Sequence, residues 1–268
     1  MKSPQKKLYH RKWIPYRKSS QVKLALVSYS YNMWGIHRGS AVFSFEKPTF
    51  TQHFTVFFQC FGYLIPHNIK STLPLVTERV FMEIFVDDES LGRIVFGLFG
   101  EVAPKAVENF SALCKCDRGK APITGKDMCY KQSIIHRVIP NFIIQGGDYT
   151  HGDGTGGESI FEGNTFGDES FAVKHNRNYM LSMANDGRGK RNTNRSQWFI
   201  NTSKTQWLDG RNEIFGMVLE GIDVITAIET KGTHGGTPKA RIVINDSGSL
   251  PLEPEDTTPY LVSKKLTQ

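Results

Sequence analysis

From residue 79 onward the chain alternates short apolar stretches with Gly, Asp and Asn clusters. Residues 79–86 (RVFMEIFV), 92–99 (GRIVFGLF), 134–138, 142–145, 180–184, 198–201, 214–219 and 241–245 therefore read as strands. The DDES stretch at 87–90 predicts a hairpin connection between the first two. Two segments have helical spacing instead. In 103–114, Pro104 suits the first turn and Val107, Phe110, Leu113 and Cys114 share a face. In 221–229, Asp223 lies near the start and Val224, Ile225 and Ile228 form the apolar face. Many short strands with two helices predict an all-β barrel or sandwich with helices at its ends. No internal repeat is present, and the Pro- and acid-rich stretch after Leu250 reads as a flexible tail over 251–268.

The region before residue 76 is different in kind. The whole chain has 268 residues, 39% of them hydrophobic, and a formal charge of +7, which excludes collagen-like and wholly disordered classes and points first to an acidic partner. Residues 1–75 carry 11 Lys/Arg and one acid, Glu46, a balance of +10; residues 76–268 carry 22 Lys/Arg and 25 Asp/Glu, a balance of −3. The charge thus belongs to a basic leader, and no nucleic-acid partner is expected for the domain that follows. The leader's longest apolar run, 54–65 (FTVFFQCFGYLI), would span about 18 Å as a helix against a hydrocarbon core of roughly 30 Å. A transmembrane helix is not expected there. A signal or anchoring segment (with a start at Met33 shortening its flank), a transit peptide, and an unstructured extension or a badly chosen start codon remain open. The first favours the secretory or endomembrane lumen, and the cytoplasm comes next. Tyr9, Trp13 and Tyr16 among the leader's cations would suit nucleic acid, but charge alone supports that reading.

Chemistry by motif is sparse. Cys114-Lys115-Cys116 lacks a second pair or a nearby histidine for zinc, so free thiols with Cys114 in the core is the first reading. A Cys116–Cys129 bridge closing a loop is the alternative. No G-x-S-x-G is present, and the glycine-rich 151–157 (HGDGTGG) lacks a G-K-[ST] ending and a following helix, so it reads as a loop. No metal or cofactor site is expected. Asp148 and Asp209 read as turn residues.

An ordered series of motifs goes further. FGLFG (96–100), Pro104-Lys105, Glu108-Asn109-Phe110, Ala112-Leu113-Cys114, IHRVIPNFIIQGGDYT (135–150), LSMAN (181–185), NTN (192–194), SQWF (196–199), WLDG (207–210) and Phe215-Gly216 follow one another in register. Together they resemble the cyclophilin family of peptidyl-prolyl cis–trans isomerases across 79–250. The resemblance implies an all-β domain with minor α content, an eight-stranded antiparallel barrel capped by two helices, over 76–250. It implies acceleration of rotation about X-Pro bonds of proline-containing peptides and client proteins during folding, cyclosporin binding, and a monomer. By the same resemblance Arg137, Phe142 and Gln145 carry catalysis. His136, Ile143, Ala184, Asn185, Gln197, Phe199, Trp207, Leu208 and Asn212 line the substrate site. Read alone, Phe142, Phe199 and Leu208 would be core residues and Arg137 a surface charge; only the joint motif assigns them to a pocket.

Four departures from the family pattern stand out. Ile143 replaces a usual methionine, Asn212 a frequent histidine and Asp186 a small residue; the 187–192 stretch is about three residues longer, with Arg195 where glycine is usual. Arg188, Lys190, Arg191 and Arg195 surround this loop, which in the family gates the pocket for side chains preceding the proline. A solvated charged loop and selection for acidic or phosphorylated side chains are both open. The altered gate and Asn212 also leave room for a proline-peptide adaptor with reduced turnover.

Overall fold

The computed structural model describes residues 73–187 and 190–257. Residues 1–72 of the leader, with the readings that fall on them, Arg188, Gly189 and the chain beyond 257 lie outside the described residues. Among the described residues eight strands form one antiparallel sheet: β1 (Glu78–Val86), β2 (Glu89–Leu98), β3 (Arg137–Ile139), β4 (Ile143–Gly146), β5 (Met180–Met183), β6 (Trp198–Asn201), β7 (Ile214–Glu220) and β8 (Ile242–Leu250). Their order is β3-β4-β6-β5-β7-β2-β1-β8. Register shifts at Ile84/Phe85, Glu83/Ile84, Val95/Phe96 and Leu181/Ser182 add local bend, and the sheet curls. The stretch 132–135 then bridges its two edges. Gln132 N–H donates to Ile244 C=O (2.7 Å), Ile135 N–H to Ile242 C=O (3.0 Å), and Ile244 N–H to Ser133 C=O (2.9 Å).

Helix α1 (Pro104–Lys115) packs against β1, β7 and β8; helix α2 (Ile222–Thr230) packs against β2 and β3. The residue before α1, Ala103, offers no side-chain cap. Glu169 supplies one from 64 residues away, its carboxylate accepting from the N–H groups of Lys105 (2.9 Å) and Ala106 (3.0 Å). Phe110 carries α1 into the core. Its ring centroid lies 5.2 Å from Phe215, 5.4 Å from Tyr130, 5.7 Å from Phe96 and 6.0 Å from Trp198. A smaller apolar cluster of Leu73, Val76, Phe99, Met180, Ile214 and Met217 includes residues ahead of the strands. At the other end Arg79, buried on β1, pairs with Glu220 (2.7 Å), Glu253 and Asp256 (3.6 Å). Packed contacts therefore run from Leu73 to Asp256, past residue 250.

The free-thiol reading of Cys116 and Cys129 is corrected: the two form a disulfide, while Cys114 is free and buried. Cys116 ends α1 in the left-handed region (φ 58°) and turns the chain outward. Tyr130 N–H returns to Leu113 C=O (2.9 Å) and Met128 N–H to Gly119 C=O (2.8 Å), which brings position 129 back beside 116. Glu158 holds the far side of this loop, accepting from Ile123 N–H (3.0 Å) and Thr124 N–H (2.9 Å).

Candidate active site

The site is built on one cross-strand row. Arg137 on β3 stands opposite Gln145 on β4, which stands opposite Phe199 on β6, which stands opposite Ser182 on β5. Directly opposed residues project from the same face, so register alone sets Arg137, Gln145 and Phe199 side by side. The next row adds Ile143 between Ile139 and Asn201. The intervening positions, Val138, Ile144, Trp198 and Ile200, point the other way into the core.

A chain of hydrogen bonds fixes the polar part of the row. Arg137 Nη1 donates to Gln145 Oε1 (3.2 Å), and Gln145 Nε2 donates to Gln197 Oε1 (3.0 Å). Gln197 Nε2 in turn donates to the carbonyls of Gly154 (2.9 Å) and Gly156 (2.8 Å). The apolar part comes from two turns. Phe142 closes the turn into β4; Glu229 of α2 anchors that turn, accepting from Asn141 N–H (2.5 Å) and from Thr202 Oγ1 (2.7 Å). The 3-10 turn Gln206–Leu208 presents Trp207, 59% exposed, with its ring 5.8 Å from that of Phe142. Leu208, half-buried, follows it.

Gln145, Ala184, Asn185 and Gln197 line one cavity of about 410 Å³. The side chain of Asn185 is already engaged there: Nδ2 donates to Arg211 C=O (2.8 Å) and Oδ1 accepts from Gly187 N–H (3.1 Å). Asn212 Nδ2 donates to Met183 C=O (2.9 Å), so its amide ties the 205–212 segment to the end of β5. His136 packs against Gly154, which lines the same cavity; a Cβ there would come within 3.0 Å of its ring. Its ring nitrogens have no hydrogen-bond partner among the described residues, and burial lowers its pKa, opposed by Asp148.

An arrangement so specific in its register has a counterpart among known proteins. The family model for cyclophilin-type peptidyl-prolyl cis–trans isomerases matches residues 81–249. The chain belongs to this family. It is 46% identical over 182 residues to peptidyl-prolyl cis-trans isomerase CYP21-1 of Arabidopsis thaliana, covering 68% of this chain and 79% of that one. The domain is a peptidyl-prolyl cis–trans isomerase acting on X-Pro peptides.

The cyclophilin site also rests on residues that the sequence reading left out. His175 is fully buried and stacks on Phe199 (6.2 Å between centroids, 11° between planes). Its Nδ1 lies 2.9 Å from Asp209 Oδ1 and its Nε2 3.0 Å from Ser182 Oγ. A carboxylate only accepts, so Nδ1 carries the proton and Nε2 accepts from the serine hydroxyl. Burial lowers the pKa of His175, with Asp209 opposing. This is the order of a hydrolytic triad, but Ser182 and His175 are sealed from solvent, so they brace the Phe199 wall and the end of the Trp207 turn. Asp148, read as a turn residue, organises the whole 150–156 loop: Oδ1 accepts from Thr150 N–H (3.2 Å), Thr150 Oγ1 (3.0 Å) and His151 N–H (2.9 Å), Oδ2 from Gly154 N–H (2.9 Å) and Gly156 N–H (3.0 Å). Asp148, His151 and Asp153 bring ligand-type atoms within 4.8 Å of one another, but these atoms already serve the loop, with Thr155 bonding both Asp153 and His151.

The basic cluster at the gate divides. Arg191 leaves it, with Nε 3.5 Å from Asp168 and its guanidinium over Phe171 (4.4 Å). Two of the family departures explain each other: Arg195 Nη2 donates to Asp186 Oδ1 at 2.6 Å. Asn194, the residue before Arg195, leads to Glu213, which is fully buried and accepts from Glu169 N–H (2.7 Å) and Asn194 Nδ2 (3.3 Å). Burial, with Glu169 and Asp168 nearby, pushes its carboxyl up to about 7. A folded pKa above the unfolded one stabilises below about pH 4.5, and that stabilisation is lost as pH rises through 7. Glu213→Gln removes this loss. The stability difference between variant and parent, followed by thermal unfolding, should move in favour of the variant by up to about 3 kcal/mol between pH 5 and pH 8. For a domain of this size that is roughly 5–10 °C in Tm. A difference that stays constant with pH would show that Glu213 is ionised in the fold throughout.

Proposed function

We propose that this cyclophilin domain isomerises X-Pro bonds by holding the proline ring among Phe142, Ile143, Phe199 and Leu208, with Trp207 as one wall. Arg137 is the catalytic donor. Amide resonance makes uncatalysed exchange take tens to hundreds of seconds, against a typical turnover of about 1–10³ per second, a gap of roughly 1–7 kcal/mol. Twisting the bond frees the prolyl nitrogen lone pair, and a guanidinium donating to it acts mainly in the twisted state. Such a charge-assisted bond is worth about 1.5–3 kcal/mol, so one or two directed contacts in an apolar slot suffice without a nucleophile or metal. The observation that carries this reading is the shared row of Arg137, Gln145 and Phe199, which sets a charged donor beside an apolar wall. Gln145 orients Arg137 and binds peptide backbone, and Asn185, its side chain engaged, meets the peptide through its main chain.

Proline-containing folding clients, a monomeric state and cyclosporin binding against Trp207 belong to the same proposal. The adaptor alternative is distinguished by one experiment. NMR exchange on an X-Pro peptide with the full chain should show accelerated cis–trans exchange that cyclosporin suppresses. Saturable peptide binding with exchange at the uncatalysed rate would replace the isomerase by the adaptor.

A further inference from the structure

Gln145 of the catalytic row and Gln197, to which it donates, also wall the 410 Å³ cavity, whose outer side carries Asp186, Lys190 and Arg195. Isomerisation as derived above uses none of these three. The amides that form the inner wall satisfy each other and the Gly154 and Gly156 carbonyls, so that wall presents no charge. The outer wall does. Lys190 is exposed, and its ammonium has no partner among the described residues. Arg195 gives one of its five N–H donors to Asp186 and keeps the others. The lining therefore holds two cations against one anion, and the anion is already paired. Arg191, turned to Asp168, adds nothing to it.

We propose that this cavity selects an acidic side chain of the substrate, a carboxylate or a phosphorylated hydroxyl, at one position flanking the X-Pro bond. The inference rests on the isomerase reading for the placement of the peptide. An anion entering between Lys190 and Arg195 gains charge-assisted hydrogen bonds at a partly desolvated site, where neutral glutamine gains ordinary ones and lysine is repelled. Lys190 and Arg195 are then specificity-determining residues. Asp186 tempers them by holding Arg195 and by repelling the incoming anion.

The test uses the full chain and a set of peptides around one X-Pro bond. Glu, Gln, Lys and phosphoserine are placed in turn at each of the three positions on either side. Both kcat/KM and Kd are measured at low and high salt. One position should show Glu favoured over Gln by about three- to tenfold, with Lys below Gln and the preference shrinking at high salt. Phosphoserine above Glu at that position marks phosphate as the preferred source of the anion; Glu at or above phosphoserine marks carboxylate. Lys190→Gln should bring the Glu:Gln ratio close to one, Asp186→Asn should raise it, and Lys126→Gln, on the disulfide loop, should leave it as it is. A ratio near one at every position, or one that Lys190→Gln leaves intact, overturns the proposal. Measuring Kd separates the two readings. Glu preference in binding without accelerated exchange sinks the isomerase mechanism alone, and active exchange with no charge preference sinks the selectivity alone.

Discussion

Arg137→Ala should lower kcat/KM for X-Pro peptides by about 10²-fold, with Tm nearly unchanged and peptide Kd rising less than tenfold. The size follows from the role. Loss of one charged donor made mainly in the twisted state costs about 1.5–3 kcal/mol of barrier, and each 1.4 kcal/mol is tenfold. The fold should tolerate the change, because Arg137 is exposed and the β3–β4 ladder is made by backbone groups. Arg137→Lys keeps the charge but not the planar fork that serves Gln145 and the substrate together, so it should recover only part of the loss. A conformational check comes from Gly236. It adopts φ +95°, and a Cβ there would lie 2.9 Å from Arg137 Cγ. Gly236→Ala should therefore displace the arginine stem and lower kcat more than it raises KM. A fall of less than tenfold in kcat/KM for Arg137→Ala would move the catalytic donor elsewhere on the row.

The strands were legible wherever their side chains alternate against a core. RVFMEIFV, IVFGLF and the 214–219 run coincide with β1, β2 and β7 to within a few residues. Where alternation fades, the strand exists for another reason. The DSGSL end of β8 has no apolar pattern, yet it pairs with Arg79–Glu83 on β1, and Gly248 lies under Phe81, where a Cβ would come within 2.9 Å of the ring. Alternation also names no partner. The 134–138 run splits into a stretch that bonds to β8 and a three-residue β3 that bonds to β4, and only that split bridges the sheet edges.

The site was legible only through the ordered motifs. Phe142, Phe199 and Leu208 look like core residues one at a time, and the register that sets Phe199 on the same row as Arg137, across Gln145, spans 62 positions of sequence. The bracing residues gave no local signal at all. His175 reaches Asp209 across 34 residues and Ser182 across seven, and a histidine in a polar stretch says nothing of either bond. The gate shows the opposite failure: four nearby cations suggested one patch, but Asp168 and Phe171 draw Arg191 out of it, and Asp186 pairs with Arg195.

Asp148→Ala should destabilise the domain by about 3–5 kcal/mol and lower activity along with it. Five hydrogen bonds converge on this buried carboxylate, four of them from backbone N–H groups that have no route to another acceptor without the loop opening. Each buried donor left unpaired costs about 1–3 kcal/mol, and partial opening to water limits the sum. The loop cannot simply close over the gap, because at Gly156 even a Cβ would sit 2.2 Å from Thr150 Oγ1. Activity follows because the same loop offers the Gly154 and Gly156 carbonyls to Gln197, which holds Gln145, which holds Arg137. Asp148→Asn is the sharper variant. It is nearly isosteric, but its amide nitrogen would face donors at either Oδ position, so it should lose almost as much stability as alanine. The backbone donors hold the Asp148 carboxyl down at about 2 against burial, which raises it. Its contribution is therefore present above about pH 3.8 and lost as pH falls toward 2. The gap between parent and Asp148→Asn should narrow over that acid range in denaturant unfolding. An asparagine variant as stable as the parent at pH 7 would mean that the loop finds other acceptors, and the link from Asp148 to Arg137 would fail with it.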